Sequence, residues 1–183
     1  VELVGEDGRL LVRKLLTYYP GIRVRMNIEL EFEIPAVAET GRVQILTEDR
    51  YGRTIALASV EVILLSMGVE DLNPAGDLLE AILIREPVTN SLIQGGQVRV
   101  SGLVRTQSEN PLQVEMFSVD GKQIGPTRLV TALPTTDGRH TPFEAELPYD
   151  VSTPTWVRLM VKEFGSRIPG PTQITSVEIL LSP

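Results

Sequence analysis

The chain is 183 residues long, with 24 acidic and 17 basic side chains, and 42% of its residues are apolar. That supports one large domain or two small ones with a core of their own, and it argues against disorder. An acidic balance with no basic stripe argues against a nucleic-acid partner. The absence of cysteine excludes disulfides, thiol catalysis and thiolate metal sites, and the single histidine, His140, excludes an intrachain His-pair site. No apolar run approaches the ~20 residues that cross a bilayer as a helix. Residue 1 is Val and no signal peptide precedes it, which reads as upstream sequence removed by processing or truncation.

In chain order, the first strong signal runs from Ile22 to Ile34. Val24, Met26, Ile28, Leu30, Phe32 and Ile34 alternate with Arg23, Arg25, Asn27, Glu29, Glu31 and Glu33. A period of two predicts a strand with one buried and one wet face. The same alternation marks Val43–Thr47, Val98–Leu103, Val157–Lys162 and Ser176–Leu181. Between these runs lie Asp7-Gly8, Asn73-Pro74, Gly95-Gly96, Asn110-Pro111, Asp120-Gly121, Asp137-Gly138 and Pro169-Gly170-Pro171. These turn the chain because Gly and Asn accept positive φ and Pro fixes φ. Short strands between regular turns predict an all-β sandwich. The one helical candidate is short, around Asp77–Ala81.

The chain also repeats itself. Shifted by 113, residues 1–35 overlay 114–148 without a gap, and eight positions are identical where roughly two are expected by chance. Asp7-Gly8-Arg9 falls on Asp120-Gly121-Lys122, and Leu30-Glu31-Phe32-Glu33-Ile34-Pro35 on Phe143-Glu144-Ala145-Glu146-Leu147-Pro148. With small gaps, Val43-Gln44-Ile45-Leu46 meets Val157-Arg158-Leu159-Met160. Ser59-Val60-Glu61 meets Ser176-Val177-Glu178. Conserved order predicts two copies of one module: an incomplete copy over 1–66, an acidic linker over 67–81 and a complete copy over 82–183. Strands are predicted at 82–86, 97–104, 112–119, 124–132, 141–149, 156–164 and 174–182, the immunoglobulin-type count of seven. Val100, Val114, Phe143, Leu147, Val157, Leu159, Val177 and Ile179 are the expected core. Trp156 opens the sixth of these strands, not the third where antibody domains hold theirs.

The second copy resembles the immunoglobulin-like domain family associated with bacterial spore germination and other bacterial surface proteins. The resemblance is carried by Glu86-Pro87 ahead of Val98-Arg99-Val100-Ser101-Gly102, by Asp120-Gly121, by Pro142–Tyr149 and by Val157–Val161. It covers about 82–183, and the first copy only through the internal match. It implies tandem immunoglobulin-like sandwiches, an extracytoplasmic bacterial address (secreted or cell surface) and an interaction role, with no catalytic residue to carry over.

Individual motifs are better read as structure than as chemistry. His140 stands at a strand entrance with Asn27 as its repeat counterpart, which suits a turn residue. No Gly-x-Ser-x-Gly elbow supports a hydrolase. Asp7-Gly8 and Asp120-Gly121 suit type I′ hairpin turns better than calcium, since no Asp-x-Asp run gathers oxygens. Glu29, Glu31 and Glu33, echoed by Glu144 and Glu146, read as a solubilising face, with a basic partner surface as the alternative. Gly95-Gly96 lacks the third glycine of a nucleotide loop. Tyr18-Tyr19-Pro20 offers sugar-stacking aromatics, but the second copy has Thr131-Ala132-Leu133 there, so a structural loop is favoured. No catalytic, cofactor-binding or metal-binding residue is assigned, and no cofactor is expected.

The first copy lacks any counterpart of residues 82–113, the two opening strands of the second. Leaving out strands that each bury three or four apolar side chains forgoes on the order of 10 kcal/mol, comparable to a whole domain's stability. The expectation is five strands over 1–66, matching those of 114–182, with an inward row of Met26, Ile28, Leu30 and Phe32 that something else must cover. Lost upstream sequence is favoured over strand donation, because Val1 falls inside a predicted strand. Functionally the sequence points to a non-enzymatic structural or protein-interaction module assembling through strand complementation. Its partners would be other protein subunits or cell-surface components, with a homo-oligomer or a strand donor for residues 1–66 among them. The alternative is a carbohydrate- or ligand-binding accessory module of a larger surface protein.

Overall fold

A computed structural model describes residues 1–17, 25–68, 80–106, 108–135 and 137–183. Twelve strands and no helix occur among these residues: β1 (Glu2–Val4), β2 (Leu10–Arg13), β3 (Ala38–Glu48), β4 (Thr54–Leu65), β5 (Ile82–Glu86), β6 (Leu92–Ile93), β7 (Gln97–Val104), β8 (Leu112–Ser118), β9 (Arg128–Val130), β10 (Thr141–Pro148), β11 (Thr155–Phe164) and β12 (Pro171–Leu181). They form two sheets. The longer runs β2-β1-β3-β4-β12-β11-β8-β9, with β6 beside β12, and the shorter runs β10-β7-β5. All pairs are antiparallel except β6 with β12.

The core lies where the second copy's half of the long sheet faces the short sheet. Val98, Val100 and Val104 of β7, Phe143, Ala145 and Leu147 of β10, Val114 and Met116 of β8, and Val157, Leu159 and Val161 of β11 are all buried there. Ile179 and Leu181 of β12 complete it, and Val177 packs against it partly buried. Alternation has done what it predicts: inward residues are apolar, while Glu144 and Glu146 face water. Each of the seven sequence-predicted strands of residues 82–183 is present, though β9 is shorter than expected, and the two-residue β6 is an eighth that the alternation does not give. Gly102 fits only as glycine, because a Cβ would stand 2.3 Å from the Leu83 carbonyl oxygen and 2.6 Å from the Phe143 ring.

The repeat is visible in the topology. In the first copy β2-β1-β3-β4 runs in the order that β9-β8-β11-β12 takes in the second, and the two halves meet at β4 and β12. The turns match as well. Gly8 N–H donates to the Gly5 carbonyl and Gly121 N–H to that of Ser118, while the Gly5 and Ser118 amides donate to Arg9 and Lys122. Gly8 and Gly121 have φ of 83° and 86°, and Asn90 is the one non-glycine with positive φ among the described residues. Asp7 and Asp120 therefore do not adopt the type I′ geometry expected of them. The positive φ sits on the glycine alone, at the last position of the turn, as in a turn closed by a bulge.

The meeting of β4 and β12 is a local two-fold. Leu57 pairs with Ile174, and these two residues are equivalents in the repeat alignment. Ser59 donates its hydroxyl to the Thr172 carbonyl at 2.8 Å, and Ser176, its equivalent, donates to the Ile55 carbonyl at 2.7 Å. Each strand thus offers the other the same surface, the property of an isologous interface. A small second cluster of Leu57, Ile174 and Met160, with Leu46 and Phe117 against it, packs on this seam.

One sequence expectation needs correction. Residues 22–24 lie outside the described set, but 25–34 are described and contain no strand, so among its described residues the first copy shows four strands where five were expected. A strand exists only where a neighbour takes its N–H and C=O groups. The counterpart, β10, has β7 for this, and among the described residues nothing fills that role beside 25–34. The Asp77–Ala81 helix candidate falls mostly outside the described residues, as do Tyr18-Tyr19-Pro20 and most of the 67–81 linker.

Candidate functional site

The first copy presents a sheet face that its twin buries. Antiparallel pairing of β3 and β4 puts Val43, Ile45 and Thr47 on one face with Ala56, Ala58, Val60 and Val62. The repeat equivalents of Ile45 and Val60 are Leu159 and Val177. Leu159 is fully buried at 0%, whereas Ile45 is 54% and Val60 59% exposed. At the edge of this face a cleft of about 610 Å³ is lined by Val1, Leu15, Leu16, Met26, Ile28 and Ile45. Met26 and Ile28 of the expected inward row thus reach the predicted face, but they do not cover it, and Phe32 remains 37% exposed.

The reverse side of the first copy is closed by polar contacts. Glu2 is buried and accepts hydrogen bonds from Arg13 Nε and Gln44 Nε2, both at 2.6 Å. Arg42 is buried and donates to the Pro169 carbonyl at 3.0 Å, so the β11–β12 loop clasps the first copy. Burial pulls the Arg42 guanidinium below its ordinary pKa, and the nearby Glu61 charge opposes this. The opposite clasp comes from the β3–β4 loop, where Arg53 donates to the Ser118 carbonyl at 2.9 Å. Burial disfavours the Asp49 carboxylate, but hydrogen bonds from the Arg53 side chain and from the Arg53 and Tyr51 amides overcome this and lower its pKa to about 2.

Two smaller features adjoin the seam. A cleft of about 400 Å³ has Phe117, Met160 and Ile174 as its floor and Arg53, Arg158 and Lys162 on its walls. Each of those cations already has a carboxylate: Asp49, Glu178 and Glu115 at 2.6, 3.7 and 2.8 Å. Beside it, Tyr51 and Trp156, both exposed, line an open depression that includes Asp120. The Tyr51 ring carries the guanidiniums of Arg50 and Arg53 at 4.8 and 5.1 Å from its centroid.

The residues singled out in the sequence are dispersed. His140 is half-buried, its Nε2 2.7 Å from the Glu80 carbonyl oxygen. Asp7 and Asp120 use their carboxylates in their own turns, Asp7 accepting from the Arg9 amide at 3.0 Å and Asp120 from the Ser118 hydroxyl. Those bonds hold both carboxyls below the usual range. Among the described residues no three acidic or histidine side chains gather to hold a metal. Gly95-Gly96 forms a turn with both φ positive. Glu144 and Glu146 are paired across the ladder, Glu144 with Arg99 at 3.2 Å and Glu146 with Gln97 Nε2 at 2.9 Å. The hydrogen bond to Glu144, and then its charge, raise the Arg99 pKa. Sequence reasoning missed both clasps and the Tyr51–Trp156 depression. The signal for the seam was present, since Ser59 and Ser176 hold the same repeat position.

No helix among the described residues is long and apolar enough to cross a membrane. The chain matches no protein-family model, and no curated protein matches it significantly.

Proposed function

We propose that this chain is a non-enzymatic structural or protein-interaction module, built of immunoglobulin-like repeats and working outside a bacterial cell. It acts by letting another protein segment cover the inner face of residues 1–66. The observation that carries the reading is the contrast between Ile45 and Leu159, one position in two copies, open in the first and sealed in the second. An apolar sheet face open to water is a site of association, and covering it needs no catalytic group. The extracytoplasmic address rests on the family resemblance alone. The test is sedimentation over a wide concentration range, with binding of an apolar dye as a second readout. Wild type is expected to self-associate or bind dye, and Ile45→Lys with Val60→Lys to abolish both. A monomeric, dye-silent wild type refutes the reading.

A second reading, an accessory module for carbohydrate, is favoured by Tyr51 and Trp156 sharing one open depression with Asp120. The guanidiniums already on the Tyr51 ring weigh against it. Trp156 is the only tryptophan, so its fluorescence reports directly, and an unchanged spectrum across a panel of soluble glycans removes this reading.

A further inference from the structure

Residues 25–34 carry the alternation of a strand and adopt none, while the second copy displays the arrangement that the same pattern takes when it is satisfied. We infer that the partner of residues 1–66 is a β-hairpin of a separate polypeptide. One of its strands alternates aliphatic and basic or amide residues, and it seats antiparallel to residues 28–35 as β7 seats on β10. This rests on the reading above and specifies its partner.

The alignment supplies the chemistry position by position. Leu30, Phe32 and Ile34 are equivalent to Phe143, Ala145 and Leu147, which point into the core opposite Gly102, Val100 and Val98. Glu31 and Glu33 are equivalent to Glu144 and Glu146. In the second copy these reach diagonally to Arg99 and Gln97 on the next strand. The first copy keeps both glutamates but has no strand beside them among the described residues. A complementing strand must therefore bring aliphatic side chains every second residue to cover Ile45 and Val60. Between them it must bring cationic or amide groups for Glu31 and Glu33, because cross-strand pairs of opposite charge stabilise a ladder and like charges oppose it. A residue as small as Gly102 belongs opposite Leu30, where the large inward side chain needs room. Docking of such a hairpin would supply the missing ladder and convert 28–35 into a strand, a case of ordering on binding.

The probe is a synthetic peptide of residues 81–105 of this chain, which carries β5 to β7, added to the whole protein. Saturable one-to-one binding is expected, with new amide protection at residues 28–34 in hydrogen exchange. Glu31→Lys with Glu33→Lys should weaken binding about tenfold, and the same peptide with Arg99→Glu should restore it. Absence of binding overturns the inference, and so does binding that leaves residues 28–34 unprotected or ignores the charge exchange. If the peptide fails while association of the protein still depends on Ile45 and Val60, only the strand assignment falls. If both fail, the interaction reading falls with it.

Discussion

Leu57→Ala tests whether the first copy is held by the seam. Leu57 is buried among Ile174, Met160, Leu46 and Phe117, and none of the residues of the main core belongs to the first copy. Shortening Leu to Ala removes apolar groups worth about 0.8 kcal/mol per buried methylene, roughly 2 kcal/mol in all. The open cleft beside Met160 and Ile174 lets neighbours or water take the space, so the cost should sit at the low end of the ~2–5 kcal/mol range for buried leucines. A loss of ~2 kcal/mol multiplies the open population by about 30. Because the main core is untouched, hydrogen exchange should speed up by about that factor in β3 and β4 while β8 and β11 keep their protection. Ile174→Ala should act on the same strands, and the two together should cost less than their sum, as for residues in contact. Uniform loss of protection throughout the chain would refute the idea that the first copy depends on the second through this seam. So would no change in β3 and β4.

Further outcomes are expected from the same geometry. Leu159→Ala should cost about 3 kcal/mol in urea unfolding, but Ile45→Ala, the same repeat position, no more than about 0.5 kcal/mol, because only the first empties a sealed core. Gly102→Ala should destabilise by about 3 kcal/mol or prevent folding, since its methyl meets the Leu83 carbonyl and the Phe143 ring; unchanged thermal stability would contradict that packing. Asp49, usually near 3.8, has a folded pKa of about 2. Its stabilising contribution is therefore complete above about pH 4 and fades as the pH falls toward 2. Asp49→Asn should lower stability at neutral pH and make the acid limb shallower, which acid titration followed by circular dichroism would register. Ser59→Ala should cost about 1 kcal/mol and Ser176→Ala more than that in the same urea titration, since both hydroxyls donate across the seam but that of Ser176 also accepts from Arg158 Nη1 at 3.2 Å.

The strands of the second copy were legible because each one buries one face and wets the other. Val98, Val100, Phe143 and Leu147 declare that arrangement by spacing alone. The same rule misled at Met26–Ile34, for a reason internal to it. Alternation records which side chains can go inward, but a strand also needs a neighbouring backbone, and residues 25–34 have none among those described. The turn type at Asp7-Gly8 was misjudged because a dipeptide does not reveal which of its residues carries the positive φ. The repeat was legible from Asp-Gly and Ser-Val-Glu, but its most consequential use was not. Whether two copies stand apart or share a sheet depends on the edges of β4 and β12, and backbone edges leave little trace in side-chain pattern. The missing opening strands point to an inward row at Met26, Ile28, Leu30 and Phe32 in need of a cover, but not to Ile45 and Val60, where the sheet face lies open. Spacing alone leaves Glu31 and Glu33 as a solubilising face or a basic partner's surface, whereas their equivalents Glu144 and Glu146 pair with Arg99 and Gln97.

The local two-fold at Leu57 and Ile174 joins halves of one molecule, and that changes what it can tolerate. Between separate identical subunits, such an interface loosens on dilution, and every substitution on one side is imposed on the other. Within a single chain neither holds, because the partner's effective concentration is fixed by the covalent connection. The two flanks of the seam have used this freedom. Gln44 and Glu48 on one side correspond to Arg158 and Lys162 on the other, and Val4 corresponds to Phe117. The first flank buries Gln44 against Glu2, while the second carries cations over an aromatic floor. A symmetric dimer would have had to build both flanks alike; the fused repeat can keep one for holding itself together and leave the other open to specialise.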